Sequence, residues 1–138
     1  MIKNIKQIIV MRKDLNMRKG KMVAQGAHAS MKVFFDMTLT KFEEKNSITY
    51  HMHLPGGDIG KDIGYWIENS FKKICCSVDS EEELLSIYQQ AKDANLPCSL
   101  IQDAGVTEFG FMPTYTCCCI GPAKDEIIDP ITGELPLL

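Results

Sequence analysis

Short apolar runs of strand length alternate along this chain with segments whose apolar residues recur every three or four positions, and that alternation leaves few folds open. Ile8, Ile9, Val10 and Met11 follow Gln7 as an unbroken apolar run, the pattern of a strand covered on both faces. From about Lys19 the period changes. Met22, Val23, Gly26, Ala29, Ser30, Val33 and Phe34 recur at helical steps, and Gly26, Ala27, Ala29 and Ser30 are small enough for close approach to a sheet. Residues 73–78 read as a second strand. Ser80 and Glu83 form a capping box, with Glu81 and Glu82 at the positive helix start. Leu84, Ile87, Tyr88 and Ala91 then share one helix face, Asn95 suits a left-handed terminator, and Pro97 prevents continuation. Residues 98–102 and 116–120 read as a third and a fourth strand, the fourth closed by Gly121-Pro122. Residues 125–128 form a short helix ahead of Pro130. Strands alternating with helices predict an α/β domain with a mainly parallel or mixed sheet.

The 138 residues suit a single domain, with 45% hydrophobic and 24% charged residues in ordinary globular balance. No apolar run approaches the roughly 18–20 residues that span a bilayer, and the N-terminal run is broken at Arg12. The expectation is a soluble, unexported, cytoplasmic chain. Net charge is −3, but its distribution is uneven: residues 1–45 carry +6 and the remainder −9. Such asymmetry is what a local phosphate-binding patch leaves in a sequence, and it is also what a solvated basic helix face leaves.

The 6 cysteines crowd at Cys75-Cys76, Cys98 and Cys117-Cys118-Cys119. That spacing fits neither a disulfide framework nor a zinc ribbon, and neighbours on a strand point to opposite faces. They read as small apolar fillers in a reducing compartment. His51 and His53 would share a face of a strand, a metal hint without a third ligand. Residues 38–64 are the least regular part. Residues 38–45 read as a continuation of the first helix, 47–54 have strand character, Pro55-Gly56-Gly57-Asp58 reads as a turn, and 65–70 as a short helical turn carrying Trp66. The segment reads as an insertion or lid.

Two segments can carry chemistry. Met17-Arg18-Lys19-Gly20-Lys21 places three cations at a helix start, which opposes the helix dipole unless a phosphate or an oxyanion binds there. Asp103-Ala104-Gly105-Val106-Thr107 puts an acid at a strand end, just before a turn. Each also has a purely structural reading, as a solvated helix start and as an ordinary turn. His28, in mid-helix, reads more simply as a packing residue than as a base.

Taken in order, these pieces resemble the peptidyl-tRNA hydrolase 2 family, the type found in archaea and eukaryotes. The resemblance runs from Arg12 through Lys21, then Ala24-Gln25-Gly26-Ala27-His28-Ala29 and Ser80-Glu81-Glu82-Glu83-Leu84. It continues in Leu96-Pro97, Leu100 to Glu108, Thr114 to Pro122 and Ile131 to Leu138. It covers nearly the whole chain outside 38–64. It implies hydrolysis of the ester joining a peptide to the 3′-terminal ribose of tRNA. It further implies a single compact α/β domain with a four-stranded mixed sheet and helices on both faces, often a dimer, with no cofactor or metal requirement. It places the functional lysine at Lys21, the acid at Asp103 and the threonine at Thr107. Gln25, His28, and Thr114 or Thr116 are supporting positions, and Arg12, Lys13, Arg18 and Lys19 are the expected tRNA contacts. The chain departs from the family in the length of segment 38–64, and in Ser70-Phe71 where the family often has Gly-Gln. Two other readings stand beside it: a noncatalytic RNA-binding or adaptor domain on the same fold, and a hydrolase of some non-tRNA ester or amide.

Overall fold

The computed structural model describes residues 2–105, 109, 110 and 112–138. Along the chain run β1 (Ile5–Arg12), α1 (Lys19–Phe35), β2 (Thr38–Glu44), β3 (Ser47–His53), α2 (Gly57–Glu68), β4 (Lys73–Val78), α3 (Glu81–Asp93), β5 (Cys98–Asp103), β6 (Thr114–Lys124) and α4 (Asp125–Thr132). Four strands form a mixed sheet in the order β4-β1-β6-β5. β4 lies parallel to β1, while β6 lies antiparallel to both β1 and β5. The remaining two strands make a separate antiparallel hairpin, β2-β3.

The unbroken apolar run of β1 follows from its central place, because both faces of the sheet are covered. Ile8, Val10, Cys76, Val78, Cys118 and Ile120 pack on one face against Leu84, Ile87 and Ala91 of α3 and Ile128 of α4. Ile9, Met11, Ile101, Cys117 and Cys119 pack on the other against Ala29 and Val33 of α1. The three consecutive cysteines thus divide between two cores, as the two-residue period of a strand requires. All 6 are free thiols, and burial pushes Cys117 up to about 12, far from a reactive thiolate at neutral pH.

The first turn of α3 is capped as its sequence predicts. Ser80 Oγ accepts from Glu83 N at 3.1 Å, and Glu83 returns by accepting from Asp79 N at 3.1 Å. Ser80→Ala is expected to cost about 1 kcal/mol, read as a lower urea midpoint at unchanged slope. Asn95 is left-handed at φ 57, ending the helix ahead of Pro97.

Four stretches differ from expectation. Residues 38–45 do not prolong α1. Asp36 caps it, and Thr38 to Glu44 pair with Ser47 to His53 across a two-residue turn. β-branched Thr38 and Thr40 suit this pairing better than a helix. The second helix begins at Gly57, not after the glycine-rich stretch, and is a full 12 residues. Its low propensity is offset by burial of Ile63 and Trp66, and by Asp62, which pairs with Lys3 and Lys124 at 3.6 Å each. Strand β6 runs through Gly121-Pro122 to Lys124, because Ala123 and Lys124 still pair with Lys6 and Ile5. Gly121 sits at φ 96, and a Cβ there would lie 2.5 Å from the Lys6 carbonyl oxygen. Likewise α4 continues past Pro130 to Thr132, anchored by fully buried Ile128.

Candidate active site

The site forms where the start of α1 lies over the end of β5 and the start of β6. Because β5 and β6 are antiparallel, Asp103 at the last position of β5 stands opposite Thr114 at the first of β6. Strand ends facing a helix start are where α/β sheets place reactive groups. Arg18 supplies no side-chain cap to α1, and no acid lies in its first turn, so the positive helix end is not neutralised from within the helix.

Lys21 and Asp103, 82 residues apart in sequence, meet here. Lys21 Nζ donates to Asp103 Oδ1 at 2.8 Å, with side-chain exposures of only 13% and 15%. Gln25, one turn further along α1 and buried, donates to the same oxygen at 3.3 Å. Thr116 Oγ1 donates to Gln25 Oε1 at 2.5 Å, which orients the amide with its NH2 group towards Asp103. Gly105 N donates to Asp103 Oδ2 at 2.9 Å. Gly105 has φ 83, and a Cβ there would run into the Met112 carbonyl oxygen, so this turn requires glycine. The Lys21 hydrogen bond and the Gly105 and Gln25 donors hold the Asp103 carboxyl below the ordinary 3.8, against a partial opposing effect of desolvation.

The other expected residues separate into groups. Thr116 belongs to this network, whereas Thr114 Oγ1 donates locally to the Met112 carbonyl at 2.8 Å. His28 is exposed on α1, seven residues beyond Lys21. Thr107 lies outside the described residues. Arg12 is committed to the fold: its guanidinium bonds Asp14 at 2.7 and 3.1 Å and the Tyr115 carbonyl at 3.1 Å. Lys13, Arg18 and Lys19 are exposed around the α1 start. His51 and His53 lie on the hairpin, where His53 Nε2 is 2.6 Å from Thr40 Oγ1. Among the described residues, no three His, Cys, Asp or Glu side chains gather as metal ligands. Two contributors escaped the sequence reading. The Gly105 amide carries no side-chain signal, and Phe109, whose ring centre lies 5.7 Å from Lys21 Nζ, is an ordinary aromatic in a loop.

These features define a small α/β protein with a lysine–carboxylate centre at its strand ends. The sequence model of the family described as Peptidyl-tRNA hydrolase PTH2 matches residues 5–138. The peptidyl-tRNA hydrolase of Methanocaldococcus jannaschii is 42% identical over 134 residues, covering 97% of this chain and all of that protein. Those of Methanopyrus kandleri and Sulfurisphaera tokodaii are 38% and 40% identical, each covering 96% of this chain and 97% and 98% of their own lengths. A solved structure of a protein of unknown function from Agrobacterium superposes with a TM-score of 0.57 at 12% identity, covering 100% of this chain and 99% of that one, a likeness of fold alone. The chain belongs to the PTH2 family of peptidyl-tRNA hydrolases.

Proposed function

We propose that this chain hydrolyses the ester between a peptide, or an N-blocked amino acid, and the 3′-terminal ribose of tRNA, with Lys21 and Asp103 at the centre of the reaction. The observation that carries this reading is the 2.8 Å Lys21–Asp103 pair, held from behind by Gln25 and Thr116 at the positive end of α1. Water attacking the ester carbonyl generates an oxyanion, and the Lys21 ammonium with the open helix end stabilises that charge in a partly desolvated place. The bond between the acyl carbon and the ribose 3′ oxygen then breaks: one proton of the attacking water ends on the 3′ oxygen, which leaves as a hydroxyl, and the other goes to solvent as the peptide leaves as a carboxylate. Thr107 serves as a further positioning group for the water or the ribose.

A carboxyl held below 3.8 is a poor proton acceptor at neutral pH. Asp103 therefore acts mainly by orienting the water and holding Lys21, rather than as a strong base. A carboxylate accepts about four hydrogen bonds, and three donors are accounted for among the described residues.

Exposed Lys13, Arg18 and Lys19, beside the helix start, are the tRNA phosphate contacts, and Arg12 supports them by shaping the turn at Asp14. Affinity for tRNA is then expected to fall steeply as salt rises. Binding that is unchanged between low and high salt counts against that patch. The direct test of the activity incubates the protein with an N-acetylaminoacyl-tRNA beside the unblocked aminoacyl-tRNA. Release of the blocked acyl group is the expected result; tRNA binding without release would establish the adaptor reading instead.

The substrate places the protein in the cytoplasm, where translation occurs. The chain also pairs with a second copy of itself. Val23, Met31, Phe35, Ile67 and Phe71 are exposed on and beside α1, between 46% and 72%. They border two recesses of about 680 and 290 Å³ that share Ser30, Met31 and Phe71. A continuous apolar surface of this kind marks an interface. Sedimentation at micromolar concentration should give twice the 15.5 kDa chain mass, and Met31→Asp should return it to the monomer.

A further inference from the structure

The connection between β5 and β6 brings an aromatic ring to the reactive centre. The ring centre of Phe109 lies 5.7 Å from Lys21 Nζ. The side chain is half-buried and packs on the same core as Leu15, Met17 and Met22, around the start of α1. Several contacts tie it there. Met112 N donates to the Phe109 carbonyl at 3.0 Å, across a turn in which Gly110 sits at φ 56. Thr114 Oγ1 donates in turn to the Met112 carbonyl at 2.8 Å. The Met112 backbone also closes on Gly105, whose amide holds the Asp103 carboxylate. One connection thus serves both members of the pair, with Gly105 on the carboxylate and Phe109 beside the ammonium.

We infer that Phe109 is a positioning residue for Lys21, its ring keeping water off the ammonium, and that Thr114 acts at one remove by pinning the turn that carries the ring. This rests on the Lys21 site proposed above. The ring works by its bulk more than by its quadrupole. A cation–π attraction is felt within about 6 Å of the ring centre, so at 5.7 Å it is near its limit. Excluding water needs only an apolar group of sufficient size held in place. A strand end and a helix start ordinarily face solvent, yet the Lys21 and Asp103 side chains are only 13% and 15% exposed. An ammonium walled in this way acts on a developing oxyanion through little water, and so more strongly than the same charge on an open surface. It is also screened less by dissolved salt. Thr114 then has a part in the reaction although its hydroxyl turns to the Met112 carbonyl and not to Asp103.

Steady-state hydrolysis of N-acetylaminoacyl-tRNA by the full chain, at low and at high potassium chloride, tests this. Phe109→Ala is expected to lower kcat about tenfold while KM changes by less than about twofold, since the lost wall weakens the charge without removing it. At saturating substrate the wild-type kcat should hardly change between about 0.05 and 0.5 M salt, whereas that of Phe109→Ala should fall several-fold, because ions now reach the ammonium. Phe109→Leu keeps an apolar group over Lys21 without a π face, and its kcat should stay within about threefold of wild type. Thr114→Val leaves the core untouched and should show the same signature at about threefold, so the inference can be judged even if Phe109→Ala fails to fold. A wild-type kcat in folded Phe109→Ala overturns the inference, as does a Thr114→Val kcat that matches wild type in size and salt response. A loss carried by KM alone also overturns it, since Phe109 would then be a substrate contact. So does Phe109→Leu as slow as Phe109→Ala. An active Lys21→Ala protein, or a wild-type chain that releases no acyl group, defeats the underlying site instead.

Discussion

Lys21→Ala and Asp103→Asn each lower kcat/KM on N-acetylaminoacyl-tRNA by at least about two to three orders of magnitude, with unchanged far-ultraviolet circular dichroism. That is the loss expected when a charge aimed at a developing oxyanion, or the group that aims it, is removed. Asp103→Asn keeps the shape of the side chain but leaves Lys21 beside a neutral amide, so the ammonium is no longer held at 2.8 Å by an opposite charge. Lys21→Arg should not restore the rate, because a planar fork cannot take the place of a compact ammonium between Asp103 and the carbonyl. Wild-type rates in the purified Lys21→Ala and Asp103→Asn proteins would refute the assignment. The pH profile gives an independent check. The folded-state pKa of Asp103 is depressed, so its ionised form and the stability it contributes are present above the ordinary 3.8 and lost only as pH falls through the depressed value. Any acid limb due to Asp103 therefore lies below about pH 4. A limb centred near pH 6–7 would show that another group accepts the proton.

Trp66→Ala is expected to destabilise the protein by about 3–5 kcal/mol, lowering Tm by roughly 10–20 °C. The indole is 1% exposed, stacks on Phe34 with ring centres 5.7 Å apart, and meets Phe71 at 4.6 Å. Its Nε1 donates to the Lys72 carbonyl at 2.8 Å, tying α2 to the entry of β4. Truncation removes all of these contacts at once and leaves a cavity between α1 and α2. Because Trp66 packs on the carboxyl half of α1 and Lys21 lies at its start, folded Trp66→Ala protein should keep kcat near the wild-type value at low temperature. A scan in which Tm moves by less than 3 °C would mean that the pocket collapses around the missing ring.

Much of the architecture follows from local pattern. The β1 run, the helical period of α1, the Ser80–Glu83 cap and the breakers at Asn95 and Pro97 are short-range signals. Chemistry of that kind is written directly into neighbouring residues. The same holds for the candidate residues: the cations of 17–21 and the acid at the end of β5 stand out one by one. Where local signals conflict, tertiary contacts decided. Residues 38–44 became a strand because 47–53 were there to pair with them, and glycine-rich α2 formed because Trp66 and Ile63 found a core.

The opening alternation of strands and helices determined the α/β class by itself, since period 2 and period 3.6 select which faces can be buried. It could not join Lys21 to Asp103. The sequence left each of them a separate structural reading, and only crossing α1 over the ends of β5 and β6 brought them to 2.8 Å with Gln25 behind them. A contact across 82 residues depends on strand order and on the lie of a helix over the sheet. Those are properties of the packed whole, for which no short window of residues carries a signal.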